Sequence, residues 1–244
     1  MDDTRTRILQ AAGPVFAERG FRAATVRDIC RRAGVNLAAV NYHFGDKQKL
    51  YIETVRYAHR LRVEQVPLPK WPDDAAPRAK LALFVRTMMS RVLGADAQPW
   101  QPRLLMREVL QPTEACRQMV HDYFRPHDEI LLAILDEMLP AETSPTRRQQ
   151  IAFSIIGQCL FYRFAGNVVS LLVDADTLAA DYAPEQLAEH IIDFSLAALG
   201  AHPPLSERRP APDESAELAR AAAIPAGDET DRAGEGIEGD HFHD

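Results

Sequence analysis

Two short helical patterns joined by a single glycine restrict what the first fifty residues can fold into. Thr25 is followed three residues later by Asp28, a spacing typical of a capping box at the start of a helix. That signal predicts a helix over 26–33, which Gly34 ends. A second short helix is predicted over 37–43. Two short helices joined by a tight glycine turn are the pattern of a helix-turn-helix.

The rest of the chain is dominated by helical periodicity, and no convincing alternating strand pattern is present. A helix is predicted over 4–19, where Gly20 ends it in the left-handed conformation. Asp46 caps a long helix that continues to about Val66, before a proline-rich break. Further amphipathic helices are predicted over 75–95, 101–111, 114–139 with a break near Pro126, 145–173 and 184–200. The predicted fold class is therefore all-α.

Charge is distributed unevenly along the chain, whose net charge is -7. Residues 1–60 carry eleven basic and six acidic side chains, whereas residues 201–244 carry four basic and eleven acidic ones. A basic N-terminal segment on an acidic chain predicts a local surface that binds a polyanion. From residue 202 onward proline, alanine, glycine and acidic residues dominate, and such a segment buries too little apolar surface to offset its ordering entropy. We expect 202–244 to be a mostly disordered acidic tail, with at most a short helix over 213–223.

The second short helix has small or neutral-polar side chains instead of a charged solvent face. They are Leu37, Ala38, Ala39, Asn41, Tyr42 and His43. Small residues let a helix approach base edges closely, asparagine bonds adenine, and alanine contacts a thymine methyl group. Tyr42 and His43 can donate to phosphates, and Lys47 lies in the first turn of the next helix, where backbone N–H groups also attract a phosphate. The predicted partner is double-stranded DNA, read by the helix over 37–43.

Several of these residues also have a purely structural interpretation. Thr25 and Asn36 are helix N-caps in any case, and a contact with DNA would be an additional role. Tyr42 can instead be an aromatic residue that packs on the surface. Arg31 and Arg32 can be solvated charges or phosphate contacts. Arg27, on the same helix, is included among the candidate DNA contacts.

The sequence from Thr25 to Leu50 closely resembles the signature of the TetR/AcrR family of bacterial regulators. The preceding helix extends the match through Ile8–Ala12 and Phe16–Phe21, so that the resemblance covers about the first 55 residues. The stretch Val35–Gly45 is closer still to the CecR-like branch. Weaker resemblance continues through Arg107–Pro112 and Ser154–Gln158.

The resemblance implies an all-α homodimer of nine or so helices that binds a palindromic operator and is released by a small-molecule effector. It implies a four-helix dimer interface built from the helices over 145–173 and 184–200 of each subunit. The resemblance also divides the chain into a DNA-binding domain at 1–48, an effector-binding and dimerisation domain at 49–201, and the tail. The helix over 46–66 joins the first two. Thr25, Tyr42, His43 and Lys47 would hold phosphates; Leu37, Ala38, Ala39 and Asn41 would approach bases. Many members have an aliphatic residue where this chain has Asn41, which can therefore face a base, a phosphate or solvent.

A pocket for the effector is predicted on the C-terminal helices from aromatic, soft or polar side chains. These are Met88, Trp100, Met106, Tyr123, His127, Cys159, Tyr162 and Arg163. Each has the alternative interpretation of a core or dimer-interface residue. His127 and Arg163 are more informative, because an imidazole and a charge among apolar helices need partners, and a polar or anionic ligand is one possible partner.

Other functional classes find little support in the sequence. It contains no nucleophile elbow, no HExxH and no glycine-rich phosphate loop, which argues against an all-α enzyme or a transport-type binding protein. An activator or architectural DNA-binding protein without an effector stays open. We expect no cofactor and no metal site; the pair His241 and His243 has no further ligand nearby, and the three cysteines are expected to be buried thiols. Without a signal peptide or membrane-spanning run, the expected location is the cytoplasm.

Overall fold

A computed structural model describes residues 3–94 and 98–203, and every regular element in these ranges is helical. The predicted all-α fold class is confirmed. The first four helices are α1 (Asp3–Ala23), α2 (Val26–Ala33), α3 (Leu37–Phe44) and α4 (Lys47–Gln65). They are followed by α5 (Pro77–Leu93), α6 (Trp100–Leu110), α7 (Glu114–Met119), a π-helical turn (Val120–Phe124), α8 (Arg125–Met138), α9 (Pro145–Phe164), α10 (Gly166–Leu172), α11 (Ala175–Asp181) and α12 (Pro184–Ala198). The predicted tail and its short helix over 213–223 lie outside the described residues, apart from residues 202 and 203.

The helix ends around α2 and α3 follow directly from local sequence signals. The Thr25 hydroxyl accepts a hydrogen bond from the backbone N–H of Asp28 at 3.1 Å and thereby caps α2. Gly34 ends α2 in the left-handed region, with φ of 64°. The Asn36 side-chain oxygen accepts from the N–H of Ala39 at 2.9 Å and begins α3. The two short helices predicted from these residues are therefore present.

Gly20 is non-helical and ends the first of two helical segments that meet at a kink within α1, the second of which continues to Ala23. Its φ of 72° is positive as expected, but its ψ of 175° is not that of a left-handed helical residue. A β-carbon on Gly20 would lie 2.6 Å from Nε of Arg107, so the guanidinium group of α6 packs directly on the glycine. Glycine is therefore required here both for its backbone conformation and for this close approach.

One hydrophobic core joins the first four helices to α6 and α7. Its buried residues include Phe16 of α1, Ile29 of α2, Val40 of α3 and Leu50 of α4. The later helices add Trp100, Leu104, Ala115 and Met119. The packing of Trp100 is close enough that a β-carbon on Gly13 would lie 2.5 Å from its ring. Burial of such aromatic and aliphatic surface is the main stabilising term in a core of this kind.

A buried hydrogen-bonded group connects α4 to the turn between α6 and α7. Glu108 is fully buried, and its carboxylate accepts a hydrogen bond from the Tyr51 hydroxyl. The same carboxylate accepts from the backbone N–H of Thr113 at 3.2 Å and from its hydroxyl at 2.9 Å. A buried carboxylate that lost these donors would be strongly destabilising, so α4 and the start of α7 are held together.

A second hydrophobic core is built from α5, α8, α9 and α12. Its largest fully buried side chains include Phe84 and Met89 of α5 and Leu131 and Ile134 of α8. Cys159 of α9 is also part of it. Cys30 and Cys159 are buried free thiols, while Cys116 is only half-buried.

The structure corrects the predicted helices between residues 145 and 183 and contains the predicted break near Pro126. The helix predicted over 145–173 is broken at Ala165, where α9 and α10 meet at a bend of 74°, since Gly166 is a weak helix former. α11 was not predicted; its start is capped by Asp174. The break near Pro126 takes the form of a π-helical turn just before it, because proline lacks an N–H and crowds the carbonyl four residues earlier.

No single helix among the described residues is long and apolar enough to span a membrane. α9 and α10 reach that length and composition only when taken together, across their bend. Within residues 3–94 and 98–203, no group of three or more His, Cys, Asp or Glu side chains is placed to hold a metal ion. The histidines at 241 and 243 lie outside the described ranges.

Candidate nucleic-acid interface

The outer face of α3 is exposed although the helix itself is firmly anchored. Val40 and Phe44, four residues apart, are buried in the first core. Leu37, Ala38, Asn41 and Tyr42 are exposed, and Tyr42 exposes 86% of its surface. We call these four residues the α3 face. A rigid short helix with small and hydrogen-bonding side chains outward can enter a major groove.

Thr25, at the start of α2, belongs to a network around Asp28. Its hydroxyl donates to the Asp28 carboxylate at 2.7 Å. Arg19 and Arg31 pair with the same carboxylate at 2.7 and 2.5 Å. The Thr25 hydrogen bond, followed by the two arginines, lowers the pKa of Asp28, which stays ionised. Arg31 is therefore an ion-pair partner on the surface of α2, as its position three residues after Asp28 on the same helix allows.

Lys47 connects the start of α4 to the chain that enters α2. Its ammonium group donates to the backbone carbonyl of Arg22 at 3.2 Å and lies 4.9 Å from the centre of the Phe21 ring. An ammonium has three N–H groups, so the carbonyl leaves donors for a phosphate. Lys47 has a structural role that spacing alone could not show, because its partner lies 25 residues away.

The other candidate DNA contacts differ in how far they reach the surface. Arg27 and Asn36 are exposed, whereas Ala39 and His43 are half-buried. The His43 and Tyr42 rings are in edge contact, with centroids 5.1 Å apart. The backbone N–H of Ala39 donates to the Asn36 side chain, so Ala39 lies in the first turn of α3.

Comparison with sequence models of known families gives two matches along the chain. Residues 8–54 match the model described as "Bacterial regulatory proteins, tetR family". Residues 77–199, half of the chain, match the model described as "HTH-type transcriptional dual regulator CecR, C-terminal domain". The chain belongs to the TetR family, in its CecR-like branch. The predicted family is thus confirmed, and this TetR-family chain is a DNA-binding transcriptional regulator.

Individual proteins are similar to this chain in sequence or in fold. The HTH-type transcriptional dual regulator CecR of Shigella flexneri is 26% identical over 180 residues, which cover 70% of this chain and 80% of that protein. A tetR-family regulatory protein from Rhodococcus RHA1 has the same fold, with a TM-score of 0.61, 18% identity and coverage of 82% and 98% of the two chains. AibR, solved in complex with isovaleryl coenzyme A and operator DNA, matches with a TM-score of 0.56, 18% identity and coverage of 79% and 97%.

The eight side chains predicted to line an effector pocket lie in several different places in this TetR-family fold. Trp100 is part of the first core, and Met88 and Cys159 are part of the second. Tyr162 packs at the edge of the second core, where its ring is 6.3 Å from that of Tyr182. The eight side chains therefore do not line one cavity. They were chosen by residue type, which does not indicate which way each helix faces.

Tyr123 and His127 belong to a buried polar cluster between α4, α5 and α8. A guanidinium can only donate, so Arg91 donates to Nε2 of His127, and Nδ1 of the ring donates to the Tyr123 carbonyl at 2.6 Å. His59 lies against the Tyr123 ring, with centroids 3.6 Å apart. Burial first, and then neighbouring charge from Arg91, lowers the pKa of His127 to about 4; burial, His127 and Arg91 do the same for His59. The partner that His127 needs is thus supplied by the protein.

Met106 and Arg163 are the two predicted pocket residues that share a cavity. The cavity has a volume of about 400 Å³ and lies between α6 and the end of α9. Its other lining residues are Pro102, Arg103, Arg107, Leu110 and Gln111. The sequence signal that would have found it is the spacing of Arg103, Met106, Arg107 and Leu110, which places these side chains on one face of a helix.

Proposed function

We propose that this regulator is a homodimeric repressor that binds a palindromic operator through α3 and is released by a small-molecule effector. The α3 face carries the proposal, because its four uncharged side chains are exposed on a helix that Val40 and Phe44 fix to the first core. Leu37, Ala38, Ala39 and Asn41 would approach bases. Thr25, Arg27, Asn36, Tyr42, His43 and Lys47 would contact phosphates and set the position of the helix.

The dimer interface is proposed on α9 and α12, which pack against each other. On α9, Phe153, Phe161 and Phe164 are exposed, and Gly157 between them has open space around it. On α12, Phe194 is exposed four residues after exposed His190. Phe153, Phe161 and Phe164 are eight and three residues apart, a spacing that places them on one apolar stripe of α9, and Phe194 forms a shorter stripe with the His190 ring on α12. A second copy that brings the same two helices would bury both stripes in a four-helix arrangement with two-fold symmetry.

Release by a small molecule is proposed from the second half of the chain. Within the CecR-type region at 77–199, α5, α8, α9 and α12 form a core of their own, which a simple DNA clamp would not need. AibR, of the same fold, is described as binding isovaleryl coenzyme A as well as operator DNA. The competing proposal is an activating role, favoured by the description of CecR as a dual regulator.

Selection of bound sequences from a random pool of DNA duplexes tests the proposal. We expect a palindrome whose half-sites are separated by about 34–36 Å, one helical turn, or somewhat more. The same selection is run with Tyr42→Ala, which removes the most exposed side chain of the α3 face. This variant should keep the fold but should no longer recover the palindrome. An asymmetric recovered sequence, or a palindrome that the variant binds equally well, would contradict the proposal.

A further inference from the structure

The cavity between α6 and the end of α9 is lined by three arginines and an apolar floor. Arg103, Arg107 and Arg163 line it together with Pro102, Met106 and Leu110, and Gln111 completes it. No acidic side chain lines it among the residues that the structure describes. A cavity of about 400 Å³ has the size of a small-molecule site.

Two of the three arginines that line this cavity, Arg103 and Arg107, lie on α6. Within the described ranges, neither Arg103 nor Arg107 forms an ion pair with a carboxylate. The adjacent residue in sequence, Glu108, points into the core, where it accepts hydrogen bonds from Tyr51 and Thr113. Guanidinium groups bind phosphate and carboxylate oxygens in a forked, two-bond geometry, so adjacent unneutralised arginines favour an anion.

Arg107 also connects the cavity with the DNA-binding helices. Its guanidinium packs on Gly20, at the kink of α1, where a β-carbon would be 2.6 Å from Nε. The carbonyl of Gly20 accepts a hydrogen bond from the N–H of Ala24, which immediately precedes the Thr25 cap of α2. A ligand that draws Arg107 toward the cavity would therefore remove a packing partner from the segment that leads into α2.

We propose that this cavity is an effector site for an organic anion, with a phosphate or carboxylate bound by Arg103 and Arg107 and a compact apolar body on Met106 and Leu110. The regulatory part, weakening of operator binding through Arg107 and Gly20, rests on the proposed function; the binding part does not. The cavity is too small for the two acyl chains of a membrane phospholipid, so the ligand is a free small molecule.

Binding of octyl phosphate, measured by calorimetry without DNA, tests the site. The wild-type chain should bind octyl phosphate at least tenfold more tightly than inorganic phosphate, which lacks the apolar body, and than octanol, which lacks the charge. Arg103→Gln and Arg107→Gln should each weaken octyl phosphate binding at least tenfold. Arg103 is exposed, so its variant should fold even if Arg107→Gln does not. Arg86→Gln, which removes an exposed arginine of α5 paired with Glu189, is the control and should change nothing.

Each alternative result overturns the proposal. Equal affinity for inorganic phosphate would show that the apolar floor does not contribute to binding, and equal affinity for octanol would show that the arginines do not. Unchanged affinity in Arg103→Gln would show that the ligand binds elsewhere. If Arg103→Gln weakened DNA binding but not octyl phosphate binding, the cavity would be a DNA backbone contact.

A final titration of DNA-bound protein with octyl phosphate separates the binding part of the proposal from the regulatory part. Octyl phosphate should lower operator affinity in the wild type and not in Arg103→Gln. Octyl phosphate that binds without changing operator affinity would refute the regulatory part. A chain that binds octyl phosphate but no palindromic DNA would refute the proposed function and leave the anion site standing.

Discussion

Phe161→Glu should convert the proposed dimer to a monomer. Phe161 lies on the apolar stripe of α9, four residues after Gly157, and exposes 52% of its surface. Full burial of a phenylalanine side chain contributes about 1.5–3 kcal/mol. Since a symmetric interface buries the exposed half of the ring twice, Phe161 contributes about 1.5–3 kcal/mol to dimerisation.

The truncation Phe161→Ala removes that contribution and should raise the dimer dissociation constant about 10- to 150-fold. Phe161→Glu removes the same contact and also places two carboxylates where they would lose their water, so its effect should be larger. Because the ring does not belong to either buried core, the thermal stability of the monomer fold should change little.

Sedimentation velocity over a concentration series measures the dissociation constant directly. Tyr42→Ala is the matched control, since it removes an aromatic ring that is even more exposed but lies on the α3 face. It should dimerise like the wild type and lose operator affinity, whereas Phe161→Glu should lose both. If Phe161→Glu stays dimeric at the concentrations where the wild type does, the interface is not on this stripe.

Three further predictions concern DNA binding and pH. Ala39→Glu should abolish operator binding in a mobility-shift assay, because it places a carboxylate in an anionic groove; retained binding would exclude α3 as the reader. Lys47→Ala should weaken binding to all sequences and reduce the slope of log K against log salt by about 0.9, an effect absent if Lys47 only holds the Arg22 carbonyl. His59 and His127 have pKa values near 4, so the unfolded state binds more protons below pH 6.5. The free energy of unfolding should therefore fall on acidification from pH 6.5 toward pH 4, by about 2 kcal/mol at pH 5 for each histidine. Thermal melts of His127→Gln should show a weaker dependence, and an identical one would contradict the buried neutral state.

Short-range signals explain why the DNA-binding helices could be predicted from the sequence. Thr25, Gly34 and Asn36 act on backbone groups within three or four residues of themselves, so their caps are determined locally. The bend at Ala165 could not be predicted in the same way. The residues from Ile151 to Val173 have a nearly continuous apolar pattern, which is compatible with one long helix as well as with two.

Contacts between distant residues account for what the sequence did not reveal. Arg91 lies 36 residues before His127, and nothing in the spacing of either residue indicates their hydrogen bond. Likewise, an arginine on α6 packs on Gly20 of α1 only because the two helices meet in the first core. Residue type indicated polar groups that need partners, but only the fold shows whether the partner is a protein side chain or a cavity.

The core shared by the first four helices with α6 and α7 has a consequence for engineering and for evolution. A chimera joined near residue 48 would take the DNA-reading helices away from Trp100, Leu104 and Met119, and would expose the surface that these residues cover. A graft that keeps the core intact must transfer two separate segments, 1–65 and 100–119. New operator preferences can therefore arise by substitution on the α3 face, but exchange of the whole reading unit requires three junctions within this chain, after residue 65, before residue 100 and after residue 119.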